Sequence, residues 1–170
     1  LAVSGWFPTG EVSDEALGLA AAAEQGAVHP AARAITDYVT SRGIFIPAPE
    51  RFESVAGVGV QAVVKGHRVR VGRAEWTTSD TPLPPELTHA AESVVVVCID
   101  DHTAGWLTLR DEVRPEARAV VEELQSMGIR VGLLTGDNPA AAERMAHEIG
   151  IPIDGSRLLP DQKESTIRKA

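Results

Sequence analysis

The sequence predicts an α+β unit built on an antiparallel sheet flanked by helices, followed by an α/β unit with a parallel sheet. Over residues 1–108 two helical stretches precede a run of short strands joined by tight turns, the pattern of antiparallel pairing. From residue 109 helical and apolar extended segments alternate, which calls for parallel strands with crossover helices. The length of 170 residues, 44% hydrophobic and 24% charged, suffices for one large domain or two small ones with a real core.

The elements follow in order. Residues 1–10 are apolar and turn-rich, and a strand is expected over 1–8. Ser13 or Asp14 can cap a helix from Glu15 to Gln25, Ala-rich at its centre and broken by Gly26. Pro30 suits the first turn of a second helix that runs to Arg42 and stops at Gly43. Ile44–Pro49 is extended. Arg51–Val55, Val60–Lys65 and Arg68–Gly72 read as strands, the last two joined by a Lys65-Gly66-His67 turn. Thr77–Pro85, polar and Pro-rich, reads as a surface loop, and Glu86–Glu92 as a short helix. Ser93–Asp100 and Thr103–Leu109 are apolar strands across an Asp101-His102 turn. Arg114–Met127 has an apolar face of Val120, Val121, Leu124 and Met127, and Gly128 ends it. A strand over 129–134, a helix from Pro139 to Ile149 and a last helix over Asp161–Lys169 complete the chain.

Composition removes several function classes. A net charge of −8 argues against a general nucleic-acid surface. No apolar run approaches the length of a membrane span. Cys98, the single cysteine, sits in an apolar strand and forms no internal disulfide, which suits a reducing cytosol. None of the five histidines clusters with it as metal ligands would, so no metal site is expected.

Four constellations carry chemistry. Leu133-Leu-Thr135-Gly136-Asp137-Asn138 joins a strand to a helix, where α/β proteins place phosphate chemistry. Thr135 offers a hydroxyl, Gly136 an open backbone, and Asp137 a carboxylate for Mg²⁺. The same residues serve equally as a plain strand-to-helix turn with Asn138 as cap. Glu24 and His29 can converge on one mouth, where imidazole stacks on a base and a carboxylate accepts from an exocyclic amine. Both also fit simple roles at helix ends. Gly57-Val-Gly59 permits positive φ and close approach of a flat ligand, or a tight turn, and lacks the rest of a dinucleotide fingerprint. Lys163 can neutralise a phosphoryl group or stand in solvent.

Taken in order, these pieces resemble the cytosolic ATP-binding loop of a heavy-metal-transporting P-type ATPase, across essentially the whole chain. Leu134-Thr135-Gly136-Asp137-Asn138 resembles the TGDN motif. Leu109-Arg-Asp111-x-x-Arg114-Pro115 resembles the return into the phosphorylation domain, and Leu159-Pro160-Asp161-x-Lys163 its LPxxK segment. Glu24, His29-Pro30, Gly57-x-Gly59 and Val71-Gly72 match the nucleotide-binding domain, and the His-Pro pair separates metal pumps from other pumps.

The resemblance implies a nucleotide-binding (N) domain over residues 1–108, with a hinge strand over 1–8. It implies part of a haloacid-dehalogenase-like phosphorylation (P) domain over 109–170. By likeness, Glu24, His29, Gly57 and Gly59 hold adenine and ribose, with Gly72 beside them. Thr135, Gly136, Asp137 and Lys163 would serve the γ-phosphate and Mg²⁺. ATP or ADP would be the ligand and Mg²⁺ the accompanying ion. The partners would be the pump's transmembrane and actuator domains, with the site on the cytoplasmic side of the membrane and the isolated chain not itself membrane-inserted. Copper export is the expected transport. The usual Ser-Glu-His-Pro reads Ala27-Val28-His29-Pro30 here, and Arg73 stands where Asn is common. The phosphorylated Asp of the family lies outside this sequence, so the isolated chain is expected to bind nucleotide without turnover. A stand-alone nucleotide-binding module or a dehalogenase-type phosphatase are the alternatives.

Overall fold

The computed structural model describes residues 1–170 apart from 11–12, 78–80, 89–91, 137–138, 157, 159 and 169–170. The chain divides into two compact units, Leu1–Asp111 and Glu112–Ala170.

The first unit runs β1 (Ala2–Pro8), α1 (Ser13–Glu24), α2 (Pro30–Ser41), β2 (Arg51–Val55), β3 (Gly59–Val64), β4 (His67–Gly72), α3 (Ala74–Thr77), α4 (Pro85–Thr88), β5 (Ser93–Ile99) and β6 (His102–Arg110). Its six strands form one sheet in the order β1-β6-β5-β4-β3-β2, every neighbouring pair antiparallel. The strand expected over 1–8 is thus an edge strand, paired Trp6 to Leu107 and Phe7 to Trp106.

Two tight turns set the register. Lys65 and Gly66 both take positive φ, 52° and 78°, the signature of a two-residue hairpin turn matched to strand twist. Asp100 and Asp101 do the same at 50° and 70°. The second turn therefore lies one residue earlier than the expected Asp101-His102. Acidic residues tolerate this conformation when their carboxylates are held. Asp100 accepts the Arg68 N–H at 2.9 Å and meets His67 Nδ1 at 2.6 Å, while Asp101 pairs with Arg68 and Arg70. His67 and the Arg68 N–H hold the Asp100 carboxyl below its usual range.

Helices α1 and α2 pack on one face of the sheet. Leu17, Leu19, Ile35, Val39, Val60, Val69, Val71, Val97 and Leu107 form that core. Ala20 to Ala23 are fully buried. A side chain at Gly18 would stand 2.6 Å from the Phe45 carbonyl oxygen, so the segment after α2 lies directly on α1. Small residues run along α1 because backbone presses on it from more than one side. The opposite face buries Val96, Cys98, Trp106 and Leu87, and Cys98 is the core strand residue the sequence suggests. Thr77 is fully buried at the end of α3, so the stretch read as a surface loop begins inside the fold.

The second unit contains α5 (Ala117–Ser126), β7 (Leu133–Leu134), α6 (Pro139–Ile149), β8 (Ile153–Gly155) and α7 (Pro160–Ile167). The strands β7 and β8 pair in parallel. The strand expected over 129–134 shrinks to its last two residues. Gly128 takes φ 78° and donates to the Gln125 carbonyl, while the Ile129 N–H returns to Leu124 O at 3.0 Å. That is a glycine-terminated helix end, and it spends Ile129 on closing α5. The apolar face expected of α5 is also narrower, since Val121 is buried while Val120 and Met127 are exposed. Among the described residues no helix is long and apolar enough to cross a membrane.

Candidate functional site

A cleft of about 380 Å³ opens in the first unit where α1 ends, α2 begins and the β2–β3 turn meets the end of β4. It gathers Glu24, His29, Gly57, Gly59 and Gly72, residues up to 48 positions apart in sequence, together with Arg73.

Glu24 is the last residue of α1 and only 3% exposed. Its Oε2 is buried without a hydrogen-bond partner. Burial lifts its pKa from 4.5 to about 7. The solvated helix-end role open in the sequence is therefore excluded. A carboxyl kept dry and unpartnered is costly to a fold.

His29 is the N-cap of α2, with extended backbone (φ −111°, ψ 160°), and Pro30 follows at the helix start. Its Nδ1 accepts the Ala32 N–H at 3.1 Å. An accepting Nδ1 puts the proton of the neutral ring on Nε2. That nitrogen lies 3.5 Å from Glu24 Oε2. The cap thus fixes both the position and the tautomer of the imidazole.

The glycines differ in purpose. Gly57 takes φ 75° in the turn closed by the Val58 N–H to Val55 O bond at 3.1 Å, and a Cβ there would meet nothing. Positive φ alone selects glycine at this position. Gly59 and Gly72 are cross-strand partners. A Cβ on Gly59 would run into the Val71 carbonyl and stand 2.8 Å from Gly72 Cα and 2.9 Å from the Trp76 ring. A Cβ on Gly72 would stand 2.5 Å from Val58 O and 2.9 Å from Gly59 Cα. The surface against which their missing side chains would press is thus the Trp76 indole and facing backbone, while their main chain borders the cleft. Trp76 is a site neighbour that the motifs do not include; its one local signal is a Trp four residues after a sheet glycine. Arg73 is exposed at the rim, its N–H bonded to Val58 O at 2.9 Å.

In the second unit, Thr135 is buried just after β7. Its N–H donates to Gly155 O and its carbonyl accepts from the Leu158 N–H, both at 3.1 Å, and Gly136 beyond it is exposed. Asp137 and Asn138 lie outside the described residues. Lys163 lies within α7, and its side chain is outside the described residues. Among the described residues no three His, Cys, Asp or Glu side chains converge as a metal site.

Residues 7–170 match the sequence family described as haloacid dehalogenase-like hydrolase. The chain belongs to the haloacid dehalogenase-like hydrolases. Similar proteins narrow the kinship of this haloacid dehalogenase-like chain to heavy-metal P-type ATPases. It is 38% identical over 161 residues to a zinc/cadmium/lead-transporting P-type ATPase of Escherichia coli (strain K12), covering 94% of this chain and 22% of that protein. It is 37% identical over 164 residues to a probable copper-exporting P-type ATPase V of Mycobacterium tuberculosis, covering 92% of this chain and 21% of the relative. The chain thus spans about a fifth of the length of the curated relatives it matches. Among solved structures, a zinc-transporting PIB-type ATPase matches 99% of this chain and 28% of its own, with a TM-score of 0.76 at 35% identity. The N-domain of a copper-transporting P-type ATPase matches 64% of this chain and 96% of its own, with a TM-score of 0.53 at 30% identity.

Proposed function

We propose that this chain is the ATP-binding portion of a heavy-metal P-type ATPase, with an N domain over 1–108 and part of a P domain over 109–170. The observation that supports it best is the single cleft shared by Glu24, His29, Gly57, Gly59 and Gly72, which has the dimensions of a small-molecule site. The imidazole of His29 offers a flat face and an Nε2–H, Glu24 a carboxyl for the base edge, and the glycine turns a backbone that a ribose can approach. The buried, unpartnered Glu24 Oε2 suits a polar ligand that can satisfy it.

In this reading Thr135, Gly136, Asp137 and Lys163 serve the phosphate end of ATP, where Mg²⁺ would supply charge neutralisation. In the parent pump, ATP would phosphorylate an aspartate and turnover of that intermediate would move the ion across the membrane from its cytoplasmic side. The cargo class is a heavy-metal cation. The expectation of copper gains no advantage over zinc from the relatives, which carry both names.

Amide chemical-shift mapping tests the site. Addition of Mg²⁺-ADP is expected to shift amides around Glu24, His29, Ala32, Gly57, Gly59, Gly72 and Arg73. A shift pattern that skips the β2–β3 turn and the start of α2, or no shift at all, would remove the assignment.

A further inference from the structure

Strand β4 and the residue after it carry three arginines, Arg68, Arg70 and Arg73. The first two are taken, since both pair with Asp101 in the turn between β5 and β6. Arg73 lines the cleft, is exposed, and forms no side-chain ion pair or hydrogen bond among the described residues. Its main chain, by contrast, is held on both sides. The N–H donates to Val58 O at 2.9 Å, and the carbonyl accepts from the Trp76 N–H, the Thr77 N–H and Thr77 Oγ1 at 3.1, 3.0 and 3.1 Å. Thr77 is fully buried, so that anchor lies inside the fold. An unpartnered cation thus rises from a fixed point between the β2–β3 turn and α3.

An exposed arginine is by default a solvated charge, but the surroundings of this one differ. It is the only arginine or lysine among the described residues that line the cleft. The only carboxyl there, Glu24, is sealed in at 3% exposure and leaves the rim without a competing acid. The Val58 and Arg73 N–H groups beside it are both spent, on Val55 O and Val58 O, and cannot bind an anion. The chain carries a net charge of −8, so an approaching anion needs a local cation to offset the general repulsion.

We propose that Arg73 binds the phosphate chain of the nucleotide seated in the cleft, so that the first unit by itself prefers a nucleotide to a nucleoside. The inference rests on the nucleotide reading of the cleft and deepens it. A guanidinium presents its donors in a planar fork that matches two oxygens of one phosphate, and the charge on both partners shortens and strengthens those bonds. The contact needs neither Mg²⁺ nor a residue of the second unit. Arg73 is then a specificity-determining residue that reads the phosphate and not the base. Because it stands in solvent, the contact weakens as salt screens it.

Calorimetric titration of the whole chain with adenosine and with ADP, both in EDTA, tests this. ADP is expected to bind roughly tenfold tighter than adenosine at about 0.05 M salt. At about 0.5 M salt that preference is expected to shrink to about threefold. Arg73→Gln is expected to bring the low-salt preference below about twofold, and Arg73→Lys to keep part of it, because the charge stays and the fork is lost. The ratio of the two affinities is the readout, since a variant that merely disturbs the rim lowers both together. A wild-type chain that binds adenosine and ADP alike, or an ADP preference that survives Arg73→Gln, would overturn the inference and leave the cleft assignment standing. Failure of the wild-type chain to bind either compound would overturn both.

Discussion

Unfolding of the first unit is expected to become easier by about 2–3 kcal/mol between pH 5 and pH 8 through Glu24 alone. The folded-state pKa, about 7, lies above the ordinary 4.5 of the unfolded chain. The folded protein therefore holds a proton that the unfolded chain has released. The stabilisation is fully present below pH 4.5 and is lost as pH rises through 7. The steepest loss, about 1.4 kcal/mol per pH unit, falls between those limits. Other groups titrate as well, so the difference between wild type and Glu24→Gln is the quantity to follow. Tryptophan fluorescence reports it selectively, because all three tryptophans, Trp6, Trp76 and Trp106, lie in the first unit. Urea midpoints of the two proteins should diverge in favour of the variant as pH rises from 5 to 8. Parallel curves would show that the carboxyl is not held in a dry environment.

The second large effect concerns the paired glycines. Gly72→Ala places a methyl 2.5 Å from Val58 O and 2.9 Å from Gly59 Cα. Backbone, not a flexible side chain, has to yield, so a loss of about 2–3 kcal/mol is expected. Gly59→Ala meets the corresponding obstacles on the other strand, the Val71 carbonyl and Gly72 Cα, and should cost a similar amount. Gly57→Ala meets no atom and loses only the ease of positive φ, about 1 kcal/mol. Because Gly59 and Gly72 share one contact, the double variant should cost less than the sum of the singles. Equal losses at Gly57 and Gly72 in denaturant unfolding would contradict the division between conformational and packing glycines.

Much of the first unit is legible in the sequence because its signals are local. Lys65-Gly66 marks a hairpin, His29-Pro30 a helix start, and the Val-rich run Val60–Val64 beside that turn a strand. Non-local features are not legible in this way. The pairing of β1 with β6 joins residues about a hundred positions apart, and no local pattern announces it. Glu24 is buried at the end of α1, and no local pattern separates it from a solvated helix-end carboxylate. At Ile129 an apolar run looks like a strand, but Gly128 closes the helix and uses the next residue in doing so. The nearby residues Glu24 and His29 can be linked from spacing alone, whereas the role of Trp76 against Gly59 and Gly72 requires the fold.

Titration of Mg²⁺-ATP into the wild-type chain and into His29→Asn decides whether the cleft at the end of α1 binds ATP. Asparagine is a good N-cap, so the helix start should survive within a few tenths of a kcal/mol, whereas His29→Ala would also lose a cap worth about 1 kcal/mol. The asparagine variant lacks the ring that stacks on the base and the Nε2–H beside Glu24. Affinity is expected to drop roughly tenfold or more, with the fold intact. Equal affinity in a folded His29→Asn chain would contradict the account and place the nucleotide, if it binds at all, elsewhere on the molecule.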